Sequence, residues 1–166
     1  MYLPWLAGSM APAPDDDVRG GFVGMGLSSS RADMTRAVYE GVALNAAWLL
    51  DPFRAFTGVD YREITFGGGG ARSPLWGAIL ADALGITVHR LAEPEYTNAR
   101  GAARLAFAAL GGGPGTASGP YADGSELQIA ESHCPDPEHG ATFSRLRARF
   151  ADYHAATRAW HRAARP

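Results

Sequence analysis

Between Tyr61 and Leu110 the apolar positions change their period several times. Tyr61 to Phe66 reads as a short strand with Ile64 and Phe66 on one face. From Pro74 to Leu84 the apolar residues Leu75, Ile79, Leu80, Ala83 and Leu84 follow helical spacing. Ser73 suits the N-cap of that helix, Pro74 its first position and Gly85 a left-handed C-cap. Ile86 to Leu91 predicts a second strand, and a small-residue helix runs from about Asn98 to Leu110. Strand, helix and strand at this spacing make a βαβ unit with parallel strands and a right-handed crossover, so the fold class is α/β.

The flanks are less regular. Leu3 to Asp17 is rich in proline and acid, and "RGGFVGMGLSSS" reads as an extended strand or hairpin with Phe22, Val23, Met25 and Leu27 as its apolar content. Ser30 to Asp33 resembles a capping box opening a long helix that buries Met34, Val38, Val42 and Leu49, and Asp51-Pro52 should end or kink it. After Leu110 the composition shifts to "GGGPGTASGPYADGS", a surface loop. Asp136-Pro137 then starts a C-terminal helix with Phe143, Leu146, Phe150, Tyr153 and Trp160 as its docking stripe. The expected organisation is a lobe over residues 1–112, a flexible loop over 113–135 and a packed helix over 136–166.

At 166 residues the chain has the length of one domain. A formal charge of −2 gives no global field for nucleic acid, so the flanking arginines of the last helix read as solvated. No stretch is apolar enough to span a membrane and the N-terminus lacks signal-peptide character, which makes a cytoplasmic protein the expectation. Cys134 alone forms no internal disulfide. His133, Cys134, Asp136 and His139 imitate a zinc set, but with one cysteine in a proline-rich loop they read as incidental, and no metal ligand is assigned. Trp5, Trp48, Trp76 and Trp160 sit in apolar patterns and read as packing residues.

The segment "ITFGGGGARSPLW", Ile64 to Trp76, carries the candidate chemistry. Four consecutive glycines give up much backbone freedom on folding and need a reason. They fall beyond a strand end and before a helix N-terminus, where ligands of parallel sheets sit and where a phosphate is the natural guest. A P-loop is excluded, because the chain contains no lysine. A dinucleotide fingerprint fails as well: counted from Gly67 its last position is Arg72, and from Gly68 it is Ser73, although Glu93 imitates the ribose-binding acid. Arg72 suits either a phosphate or the face of a base.

Three blocks together, residues 2–50, "GGGARSPLWGAILADALG" and "NARGAARLAFAALG", resemble the C-terminal part of the FGGY carbohydrate kinases, xylulokinases most closely. The resemblance implies an incomplete actin-like, ribonuclease-H-like ATPase lobe with flanking helices, in a family that holds ATP with Mg²⁺ and a sugar between two lobes. It implies nucleotide-binding roles for Gly68, Gly69, Gly70, Ala71 and Ser73, and capping or close packing for Asn98 and Gly101. Such kinases are far longer, and the chain is expected to begin partway through the second lobe. No catalytic base is assigned: Asp15, Asp16 and Asp17 read as a solvated loop, and Asp82 as a surface or packing residue of a helix. The expected function is the ATP-binding segment of a xylulokinase-like enzyme that phosphorylates a pentulose or related sugar, inactive alone. The alternative is a non-catalytic remnant or nucleotide-binding module. Partners are ATP or ADP, a sugar only where the other lobe is supplied, and a second copy in a homo-dimer.

Overall fold

The computed structural model describes residues 1–111 and 127–163. Its centre is a three-stranded sheet: β3 (Glu63–Phe66) pairs in parallel with β4 (Thr87–Leu91), which pairs antiparallel with β5 (Ile129–His133). A second sheet of two short strands, β1 (Tyr2–Leu3) and β2 (Gly21–Phe22), is antiparallel. Helices α1 (Arg31–Thr57), α2 (Pro74–Leu84), α3 (Thr97–Gly111) and α4 (Pro137–Ala163) complete the order.

The βαβ reading holds, with α2 between the parallel strands and its caps as expected. Ser73 Oγ accepts the Trp76 N–H, Pro74 takes the first turn, and Gly85 adopts φ 68° while its N–H reaches the Ala81 carbonyl. Gly77, Ile79, Leu80, Ala81, Ala83 and Leu84 are buried, whereas Leu75 is exposed because it lies on the opposite side of the first turn. β5 corrects the expected loop over residues 113–135: a polar segment, exposed along most of its length, is held as an edge strand by β4 rather than by an apolar face. The glycine- and proline-rich remainder of that loop lies outside the described residues.

Helix α1 has the capping box, Ser30 Oγ accepting from Asp33 N–H and the Asp33 carboxylate accepting from Ser30 N–H. Its buried face is Gly41, Ala43, Leu44, Ala47 and Leu50, not the expected stripe through Leu49, which is exposed. Small residues prevail there because the backbone of β1 approaches closely: a Cβ on Gly41 would lie 2.2 Å from the Tyr2 carbonyl oxygen. Pro52 does not end the helix. Contacts beyond it hold the last turn, with Arg54 Nη2 donating to the Tyr61 carbonyl at 2.7 Å and Phe53 stacked on Tyr61.

The core joins Leu3, Trp5 and Val18 to Leu44 and Ala47 of α1, Ile79 and Leu80 of α2, Val88 of β4 and Phe143 and Phe150 of α4. Fully burying each large apolar side chain is worth about 1.5–3 kcal/mol. Met25, Leu27 and Trp160, expected among the apolar contacts, are exposed. The N-terminal acidic segment departs furthest from the solvated reading. Asp15 is buried; its Oδ1 accepts the N–H groups of Asp17 and Val18, and its Oδ2 accepts Arg158 Nε at 2.7 Å. The Arg158 hydrogen bond, aided by those N–H groups, pulls its pKa down to about 2.

Beside it, buried Ser9 gives its hydroxyl proton to the Ala13 carbonyl and therefore accepts from Nε2–H of His154, at 2.8 Å. Burial against Trp5 and Trp48, with Arg158 adding to it, pushes the His154 pKa below its ordinary value. A histidine kept neutral in the fold stabilises fully above the unfolded pKa and loses that contribution as pH falls through the window below about 6.5. Asp15 acts in the same direction at lower pH, from its ordinary carboxylate range down to about 2. His139, whose pKa is raised by the Asp82 carboxylate, acts in the opposite direction between pH 7 and pH 5, so the His154 contribution is read as a difference: in urea denaturation His154→Gln should lose less stability than the wild type over that range. An unchanged slope in the variant would remove His154 from the explanation.

At the other end of α4, Asp82 of α2 accepts the Asp136 N–H and His139 Nδ1, both at 2.8 Å. This carboxylate raises the His139 pKa. Asp82 is thus a packing residue that fixes the start of α4.

Candidate nucleotide loop

Strand β3 ends at Phe66, and Gly67 to Ser73 carry the chain to the N-terminus of α2, with a 3-10 turn over Gly69–Arg72. The glycines serve three different ends. A Cβ on Gly67 would lie 2.5 Å from Thr97 Oγ1, and one on Gly70 would lie 2.2 Å from Cζ3 of Trp76, so both are required by contacts inside the protein. Gly68 adopts φ +85°, which disfavours a side chain whatever the space. Gly69 has neither constraint. It is exposed, its φ is not in the left-handed region, and a Cβ there would meet open space.

Of the five residues expected to touch a nucleotide, the structure brings Gly68, Gly69 and Gly70 together on this turn, while the Ala71 methyl is buried and Ser73 Oγ caps α2. Arg72 is exposed beside them. The loop is tied down from beneath: Gly68 N–H donates to the Pro94 carbonyl at 2.7 Å, and Thr97 Oγ1 donates to the same carbonyl. Arg90 Nη1 donates to the Ala71 carbonyl at 2.9 Å. Pro94, Thr97 and Arg90 were not legible as parts of this site, since nothing in their spacing links them to the glycines.

Asn98 and Gly101 do not have the expected roles. A 3-10 turn over Pro94–Tyr96 leads straight into α3, so Asn98 lies inside the helix and exposed, and a Cβ on Gly101 would meet nothing within 4 Å. The close approach is made instead by Gly67 on Thr97. Glu93 pairs with Arg100, which engages the carboxylate imagined for a ribose. Among the described residues no three His, Cys, Asp or Glu side chains are placed to hold a metal ion, and no helix is long and apolar enough to cross a membrane.

Residues 1–110 match the family model described as the FGGY family of carbohydrate kinases, C-terminal domain. The chain belongs to this family. As an FGGY member it is 42% identical over 109 residues to a glycerol kinase of Bordetella parapertussis, a match covering 66% of this chain and 21% of that protein. It is 35% identical over 113 residues to a xylulose kinase of Staphylococcus epidermidis, covering 67% of this chain and 22% of the relative. Among solved structures, a xyloylose kinase from Brucella ovis superposes with a TM-score of 0.80 at 30% identity, over 96% of this chain and 32% of that one. The chain thus spans about a fifth of the length of the curated FGGY relatives it matches. Its fold is part of the actin-like, ribonuclease-H-like ATPase architecture. Glycerol and xylulose kinases both match, so the likeness carries the FGGY family and not a particular sugar.

Proposed function

We propose that this chain is the ATP-side segment of a xylulokinase-like sugar kinase, with Gly68, Gly69, Gly70, Ala71 and Ser73 forming the nucleotide contact. The observation that carries this reading is Gly69: it is exposed, lacks any contact that would need a glycine, and sits beyond the carboxyl end of a parallel strand at a helix N-terminus. A bare backbone there lets a phosphate or ribose come close, and the first N–H groups of the 3-10 turn have no carbonyl of the turn to bond. Ala71 and Ser73 contribute by shaping the turn. Mg²⁺ would arrive on the phosphate oxygens of the nucleotide, where it neutralises charge.

Phosphoryl transfer also needs a base for the sugar hydroxyl. The carboxylates described above are engaged otherwise: Asp15 is held at a pKa of about 2 by Arg158, Asp33 caps α1, and Asp82 holds α4. Purified alone, the chain should release no ADP in response to xylulose. Release that vanishes in a glycine-loop variant, and so does not come from a contaminant, would overturn the inactive-segment reading.

The site itself is tested in an enzyme reconstituted with the remaining lobe, supplied in frame or by an adjacent gene. Gly69→Val should raise the KM for ATP about tenfold or more while the fold survives, because a contact of about 1.4 kcal/mol corresponds to that factor. Unchanged nucleotide affinity would remove the loop from the reading.

A further inference from the structure

β4 presents Val88 and Arg90 on the face beneath α2, beside their register partners Ile64 and Phe66 of β3 and His133 and Glu131 of β5. Room for the two longer side chains comes from Gly77 of α2. A Cβ on Gly77 would lie 2.6 Å from Cδ2 of His133 and 3.6 Å from Cδ of Arg90. Through this slot the guanidinium of Arg90, whose side chain is 14% exposed, reaches the underside of the glycine loop.

There it meets a carbonyl with a specific need. In a 3-10 turn the carbonyl of Ala71 would bond the N–H three residues on, but that residue is Pro74, which has none. Arg90 Nη1 fills the gap at 2.9 Å, and Nη2 of the same planar fork donates to Oε2 of Glu131 at 3.0 Å. Glu131 also faces His133 Nε2 at 3.6 Å. A guanidinium is rigid, so its two ends fix the distance between the loop and β5. Charge-assisted bonds in a mostly covered setting are stronger than neutral ones.

We infer that Arg90 is a positioning residue for the nucleotide loop, anchored by Glu131, so that β5, which lies outside the matched residues 1–110, sets the geometry of the turn that receives the nucleotide. The functional half of this inference rests on the proposed nucleotide site. The link from β5 to the loop stands on geometry alone.

The test uses the 166-residue chain, ¹⁵N-labelled, as wild type, Arg90→Met, Glu131→Gln and the double variant. Amide resonances of Gly68 to Ser73 should move in Arg90→Met and move the same way, by less, in Glu131→Gln. The double variant should move them no further than Arg90→Met, because both changes act through one link. Loop amides that stay in place in both single variants, while amides of β4 and β5 move, would overturn the inference. Should Arg90→Met fail to fold, Glu131→Gln decides by the same criterion. Titration with ADP separates the two claims: Arg90→Met should weaken its binding about tenfold, the scale of one charge-assisted hydrogen bond. If the variants shift the loop but ADP perturbs none of its amides in the wild type, the clamp stands and the nucleotide site falls.

Discussion

Replacing Phe150 with alanine should destabilise the chain by about 3 kcal/mol or more, the largest single effect expected of α4. Phe150 has 0% exposure, lies edge-on to Trp5 with ring centroids 4.8 Å apart, and also faces Trp48. Three elements distant in sequence meet on this ring, so its removal leaves a cavity whose walls belong to a rigid aromatic cluster. For a chain of this size such a loss lowers the melting temperature by roughly 6–12 °C. Trp160, on the same helix, is 68% exposed, and Trp160→Ala should change stability by no more than about 0.5 kcal/mol. A thermal melt of both variants checks the pair. Equal effects would mean that α4 does not dock through Phe150.

A comparable loss is expected from Gly41→Val. The Cβ would lie 2.2 Å from the Tyr2 carbonyl oxygen and 2.9 Å from its carbon, which are backbone atoms and cannot rotate away. Either α1 or β1 must move, and overpacking of this kind costs about 1–3 kcal/mol, with backbone displacement at the upper end. Gly140→Val, at a position of α4 where a Cβ meets nothing within 4 Å, is the control and should lie near the ordinary propensity range. Urea midpoints would reveal the difference. A Gly41 variant as stable as the wild type would show that β1 is not seated on α1.

What could be read from the sequence was local. The N-cap serine, first-turn proline and C-cap glycine of α2, and the Ser30–Asp33 box of α1, act within a few residues of themselves, and their geometry is found as expected. The parallel pairing of β3 with β4 followed from element order alone. Distant partnerships were hidden. Asp15 looked solvated because the arginine that engages it lies 143 residues away, and His154 drew no notice because its partner Ser9 is 145 residues away. β5 was missed because its stability comes from a neighbouring strand and not from an apolar pattern.

The glycine run shows both sides of this limit. A ligand approach is a sufficient reason for glycines at Gly68, Gly69 and Gly70, yet contacts inside the protein already account for Gly70, against Trp76, as they do for Gly67, against Thr97. Only the open position of Gly69, next to the positive φ of Gly68, leaves a place where a ligand explains a glycine independently of packing. The family match covers the loop and both strands of the βαβ unit.

Titrating ADP with Mg²⁺ into the ¹⁵N-labelled chain asks whether the glycine loop receives the nucleotide. Saturable shifts should centre on the amides of Gly68, Gly69 and Gly70 and extend to Arg72, with α4 and the two-stranded sheet unmoved. Loop amides that stay in place at millimolar ADP, or saturable shifts confined to another surface, would contradict a nucleotide site at this loop.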